Sequence, residues 1–93
     1  MAKSKNNPKV CVVGLGFIGL PLAVSFANSG ADVIGYDLRR EIVDKVNKGE
    51  SHVFEPGLEE TLKKVLKRGT FRATQIVSEM QKCKFIKIGR AHV

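Results

Sequence analysis

The most constraining stretch of this chain begins at Lys9. A continuous, largely β-branched run, Lys9 to Gly14 (KVCVVG), passes directly into Gly14-Leu15-Gly16-Phe17-Ile18-Gly19, and apolar residues at helical spacing follow. A run without polar alternation is the pattern of a strand covered on both faces. G-x-G-x-x-G on its own is a weak signal, since glycine-rich turns are common. Here it sits between a buried strand and a helix, and Asp37 follows at the end of the next strand, 18 residues past Gly19, close to the roughly 20 expected of a dinucleotide-binding turn. Each position has a physical task. Gly14 permits the tight turn, Gly16 lets the backbone approach a pyrophosphate, and Gly19 lets the helix pack closely on the strand. The helix N-terminus offers N–H groups and the positive end of its dipole to the phosphates. Asp37 can accept hydrogen bonds from both ribose hydroxyls of the adenosine, and its charge repels a 2′-phosphate, which favours NAD over NADP. Arg39 and Arg40, just beyond, could instead hold a 2′-phosphate; their simpler reading is a solvated first helical turn.

The remaining periodicities extend this unit. Pro21 is tolerated only in a first helical turn, which places the helix start near Phe17, and Ile18, Leu22, Ala23, Phe26 and Ala27 form its apolar stripe. Gly30 stops that helix. Ala31 to Tyr36 reads as a second strand. Arg39 to Lys48 reads as an amphipathic helix with Ile42, Val43 and Val46 inward and Gly49 as its stop. After a loop, Gly57 to Arg68 is the next helix, with Leu58, Leu62, Val65 and Leu66 as its stripe, ended by Gly69. Phe71 to Thr74 predicts a third strand, Ile76 to Gln81 a short helix, and Lys84 to Ile88 a fourth strand. Strands alternating with helices at this spacing predict an α/β fold, a doubly wound parallel sheet of Rossmann type, truncated after about the fourth strand.

Composition removes several other classes. The 43% hydrophobic content is that of a globular domain. No apolar run approaches the roughly 20 residues needed to cross a bilayer, and the polar start MAKSKNNPK is no signal peptide, so a cytoplasmic setting without a membrane partner is expected. The net charge of +7 is unevenly placed: residues 1–62 carry a net −1 and residues 63–93 a net +8. Without interleaved aromatics or a recognition motif, the basic third reads as a solvated helix face and tail, not as a nucleic-acid surface. Cys11 and Cys83 suggest neither a disulfide framework nor a metal cluster; Cys11 reads as a small buried hydrophobe. His52 and His92 lack partners at metal or catalytic spacing and read as surface residues.

The stretches VCVVGLGFIGLPLAVSFANSGADVIGYD, NKGES and EPGLEETLKKVLKRGTFRAT together resemble the N-terminal domain of the nucleotide-sugar 6-dehydrogenases, a family that includes UDP-glucose 6-dehydrogenase and the UDP-N-acetylmannosamine dehydrogenases. The resemblance runs from about Val10 to about Cys83. Its glycine turn is similar to the acetylated-sugar branch, its N-K-G-E-S and E-P-G-L-E-E to the UDP-glucose branch. The resemblance implies oxidation of a UDP-sugar C6 alcohol to the carboxylate with two NAD molecules in turn, and a homo-oligomer in the full-length protein. It also implies a catalytic cysteine, a lysine and acids that all lie far beyond residue 93. Carried over by position, Gly14, Gly16 and Gly19 form the phosphate turn, Phe17 and Ile18 lie against the dinucleotide, and Asp37 holds the ribose. No catalytic residue is assigned within these 93 positions. Two alternatives stay open: the cofactor domain of a 3-hydroxyacid-type dehydrogenase, against which Gly49-Glu50-Ser51 and Glu55-Pro56-Gly57-Leu58 speak, and a non-enzymatic nucleotide-binding module.

The ends divide the chain further: a tail over 1–8, a partial dinucleotide-binding domain over 9–87, and a stub over 88–93. Lys87 falls where a doubly covered strand should be apolar. IGRAHV is what a widely used sequencing adapter encodes in one frame, so the stub is expected to be non-native. Without further strands the sheet would expose an edge and apolar faces. The isolated chain is therefore expected to aggregate or fold marginally, to bind NAD weakly or not at all, and to oxidise no UDP-sugar.

Overall fold

The computed structural model describes residues 9–83 and the backbone of 85–88. The expectations for the tail 1–8, for the Lys87 side chain, for His92 and for the stub beyond Ile88 lie outside these described residues. Within them the order is β1 (Lys9–Val13), α1 (Gly19–Asn28), β2 (Asp32–Tyr36), α2 (Arg40–Asn47), α3 (Leu58–Arg68), β3 (Phe71–Thr74), a 3-10 segment Val77–Lys82, and β4 (Phe85–Ile88). The sheet is four-stranded and parallel, in the order β3-β2-β1-β4. Cys11 is in register with Ile34 on β2 and Ile86 on β4, and Gly35 with Ala73 on β3. Lys9 and Asp32, partners in the β1–β2 register, also form an ion pair at 2.8 Å. None of the described helices is long and apolar enough to cross a membrane.

Side chains alternate across the sheet, and the two faces are covered differently. Val10, Val12, Val33, Phe71 and Ala73 join Leu20, Ala23, Val24, Val46, Leu62 and Val65 of the three helices in one core. Gly35 lies on this face because nothing larger fits: a Cβ there would stand 2.8 Å from Leu15 Cδ2 and 3.2 Å from the Phe71 ring. Cys11 and Ile34, also buried, alternate to the other face.

Helix α1 turns a different stripe inward from the one its periodicity suggested. Its buried residues are Gly19, Leu20, Ala23, Val24 and Ala27, whereas Ile18 is 61% exposed and Leu22 only half-buried. The sequence carries two overlapping apolar stripes. Both contain Ala23 and Ala27; the sheet takes the one that adds Gly19, Leu20 and Val24, where the glycine allows close approach of helix to strand.

The sequence marks N-K-G-E-S and E-P-G-L have structural work here. The Asn47 side chain donates to the Ala73 carbonyl and accepts from the Ala73 amide, both at 2.9 Å, so it pairs with β3 as a further strand would. Ser51 accepts from the Val53 amide, and its own amide donates to the Glu59 carboxylate at 2.8 Å, tying the loop to α3. Gly57, at φ 82°, leads into α3.

The cysteines require a correction. Cys11 and Cys83, 72 residues apart, form a disulfide with a Cα–Cα distance of 5.9 Å, which fits the bridging range. Sequence spacing could not disclose it, because the 3-10 segment crosses the sheet face onto which Cys11 points. The Met80 carbonyl oxygen lies 3.6 Å from Cys11 Sγ, so a reduced Cys11 thiol keeps an acceptor. Closing a loop this long contributes about 4 kcal/mol in the chain-entropy account. Reductant should lower the stability of the wild-type chain by about 2–4 kcal/mol, read from urea midpoints, and should leave Cys83→Ser unaffected.

Candidate functional site

The C-terminal ends of β1 and β2 lie side by side; the chain leaves β1 through the glycine turn and β2 through Asp37. Gly14 takes φ 92°, a conformation that side chains strongly disfavour, and its amide donates to the Tyr36 carbonyl at 2.8 Å. The sheet pairing thus continues one residue into the turn. Leu15 is fully buried beneath it. A Cβ on Gly16 would meet nothing within 4 Å, so the backbone there faces open space. Phe17 is 82% exposed. Gly19 is the first residue of α1 and is buried. The helix start carries no side-chain cap and no acid in its first turn among the described residues, which leaves its positive dipole end without an anion of its own.

Asp37 sits beside this turn. Its amide donates to the Thr74 carbonyl at 3.2 Å, extending the β2–β3 pairing. Its side chain is nearly buried, at 5% exposure, and accepts four hydrogen bonds. Oδ1 takes the Arg39 amide and Arg39 Nε, both at 2.9 Å. Oδ2 takes the Leu15 amide at 2.9 Å and an Arg39 guanidinium nitrogen at 3.0 Å. Burial by itself would raise this carboxyl, but the Arg39 side chain together with the Arg39 and Leu15 amides outweighs it and lowers the pKa from 3.8 to about 2.

The structure therefore brings Gly14, Gly16, Phe17, Ile18, Gly19 and Asp37 to one end of the sheet. Two participants were missed in the sequence. The Leu15 amide leaves no trace in a side-chain pattern. Arg39, whose simpler reading from sequence is a solvated helical turn, precedes α2 with its guanidinium turned back onto Asp37; the D-x-R spacing is the available signal. Arg40 does stay in solvent, 3.7 Å from Asp44. His52 also departs from expectation: both its ring nitrogens are buried and have no hydrogen-bond partner among the described residues.

A fit to a dinucleotide can be tested on these features. A pyrophosphate needs open backbone at the turn and a helix start without its own anion, and both are present at Gly16 and Gly19. A ribose diol needs an ionised carboxylate at the end of β2, which Asp37 supplies. A separate cleft of about 280 Å³, lined by residues including Pro21, Ser25, Glu55 and Thr61, lies between α1 and the start of α3 and shares no residue with the turn.

The Asp37 bonds also fix a pH dependence. Because the folded carboxyl ionises below its ordinary value, the unfolded chain binds more protons between pH 4 and 2, so stability rises with pH across that window. The contribution is complete above about pH 4 and is lost as pH falls towards 2; it amounts to about 2 kcal/mol. Urea unfolding at pH 5 and at pH 2.5 should show this extra loss in the wild type and not in Asp37→Asn.

Residues 8–90 match the UDP-glucose/GDP-mannose dehydrogenase family, NAD binding domain. UDP-N-acetyl-D-mannosamine dehydrogenase of Pyrococcus horikoshii is 45% identical over 73 residues, covering 78% of this chain and 18% of that protein. A solved UDP-D-ManNAc dehydrogenase from Pyrococcus horikoshii superposes with a TM-score of 0.83 at 42% identity, over 86% of this chain and 19% of the other. GDP-mannose dehydrogenase from Pseudomonas aeruginosa superposes with a TM-score of 0.86 at 27% identity, over 90% of this chain and 20% of the other. The chain thus spans about a fifth of the length of these relatives. With the match running through strand, glycine turn, acid and both loop marks, the chain belongs to the UDP-glucose/GDP-mannose dehydrogenase family, as part of its NAD-binding domain.

Proposed function

We propose that Gly14, Gly16, Phe17, Ile18, Gly19 and Asp37 hold the adenosine and pyrophosphate of NAD, as the cofactor part of a UDP-sugar 6-dehydrogenase. The observation that carries this reading is the Leu15 amide bonded to Asp37, because it fixes an ionised carboxylate at a set distance from the phosphate turn. Bound there, NAD supplies the hydride acceptor. This chain's own residues bind and orient: the Gly16 backbone and the start of α1 face the phosphates, exposed Phe17 and Ile18 exclude water from one side, and Asp37 accepts from the ribose hydroxyls.

The whole protein would oxidise a nucleotide-sugar C6 alcohol to the carboxylate, with the reacting groups outside these 93 residues. Relatives named UDP-N-acetyl-D-mannosamine dehydrogenase at 45% and 48% identity support an acetylated UDP-hexosamine as substrate.

With the turn tied to Asp37 in the folded chain, the isolated chain is expected to bind NAD weakly rather than not at all, and saturation-transfer NMR detects weak binding. NAD should give adenine and ribose signals with the wild type. Gly16→Val, which fills the open space at the turn, and Asp37→Ala should each weaken binding about tenfold or more, the worth of one charge-assisted hydrogen bond or a blocked approach. Undiminished signals in both variants would refute the assignment. No UDP-sugar should be oxidised by the isolated chain.

A further inference from the structure

We propose that Arg39 is a specificity-determining residue that stands in for the ribose diol on Asp37 when no dinucleotide is bound and that weakens the chain's discrimination between NAD and NADP. The inference rests on the assignment of Asp37 to the ribose and adds a residue which that assignment does not use.

A carboxylate offers about four acceptor positions, and on Asp37 all four are taken. Two of the donors, the Leu15 and Arg39 amides, are backbone groups fixed by the turn and by the entry to α2. The other two come from the Arg39 guanidinium, whose side chain is 53% exposed and can swing out. A ribose diol brings two O–H donors. It can therefore replace the guanidinium at Oδ1 and Oδ2 while leaving both amide bonds, and so the tie to the turn, intact.

The exchange is unequal. The guanidinium brings a full positive charge along with its two donors, whereas the ribose hydroxyls are neutral, so displacing Arg39 gives up an ion pair and opposes NAD binding. With NADP the balance changes. The displaced guanidinium remains on a short tether beside the ribose and can meet the 2′-phosphate, offsetting the repulsion from Asp37. Arg39 thus works against NAD and in favour of NADP. Arg40, exposed and held 3.7 Å from Asp44, has no such position.

The test compares the dissociation constants of NAD and NADP for wild type, Arg39→Ala, Arg39→Lys and Arg40→Ala by NMR titration of the 93-residue chain. Arg39→Ala should bind NAD several-fold more tightly and NADP more weakly, moving their ratio by about tenfold. Arg39→Lys, which keeps the charge but loses the fork, should tighten NAD while retaining most of the NADP affinity. Arg40→Ala should leave the ratio unchanged. In the wild type, the Arg39 Nε–H resonance should be protected in the free chain and should shift and lose protection on NAD addition, a readout that needs no variant to fold. An unchanged ratio in the Arg39 variants, or an Arg39 Nε–H resonance that NAD does not move, would overturn the proposal while leaving NAD binding in place. Absence of any dinucleotide binding by the wild type would overturn the ribose assignment itself, and this inference with it.

Discussion

The hydrogen bond from the Leu15 amide to Asp37 Oδ2, 2.9 Å long, joins two places that the chain reaches 22 residues apart. One is the turn that leaves β1, the other the end of β2. Parallel strands place these ends side by side, and the Gly14–Tyr36 and Asp37–Thr74 backbone bonds carry the ladder to its last residue. The carboxylate then locks the turn against the second strand. That lock sets the open backbone at Gly16 and the uncapped start of α1 beside an acid that its hydrogen bonds keep ionised despite burial. An unpaired charge in that position would cost several kcal/mol; four donors make it favourable instead.

The two faces of the sheet are maintained by different means. The helical face is a packed aliphatic core in which Gly35 gives way to Leu15 and Phe71. Leu15 thus supports the turn from below while its amide holds Asp37 from the side. On the other face the described cover is the short 3-10 segment, fastened by the Cys11–Cys83 disulfide and by the Arg72–Glu79 ion pair. The edge of β3 is satisfied by the Asn47 side chain, which explains an asparagine at the end of α2 where the helix itself gains nothing from it.

Much of this was legible in the sequence because it depends on local rules. Strand runs, helix stops at glycine, and the spacing from the glycine turn to Asp37 follow from backbone geometry and periodicity, and the elements lie within a residue or two of where they were expected. What was not legible depends on tertiary neighbours. Two apolar stripes on α1 overlap at Ala23 and Ala27, and only the approach to the sheet selects the one with Gly19, Leu20 and Val24. The pairing of Cys11 with Cys83 requires knowledge of which sheet face the 3-10 segment crosses. The burial of the His52 ring nitrogens and the return of Arg39 onto Asp37 are likewise properties of the assembled chain. The N-K-G-E-S and E-P-G-L marks were recognisable as patterns, but their physical roles became clear only with their partners, Ala73 and Glu59.

The central claim is that the glycine turn and Asp37 form one dinucleotide site. Its most direct test is an amide ¹H–¹⁵N titration of the chain with NAD. The account predicts that the largest shifts cluster at Gly14 to Gly19 and at Asp37 to Arg39, with little change at Ser25 or Thr61 in the cleft between α1 and α3. Shifts centred on that cleft, or a turn that does not respond to NAD, would contradict it.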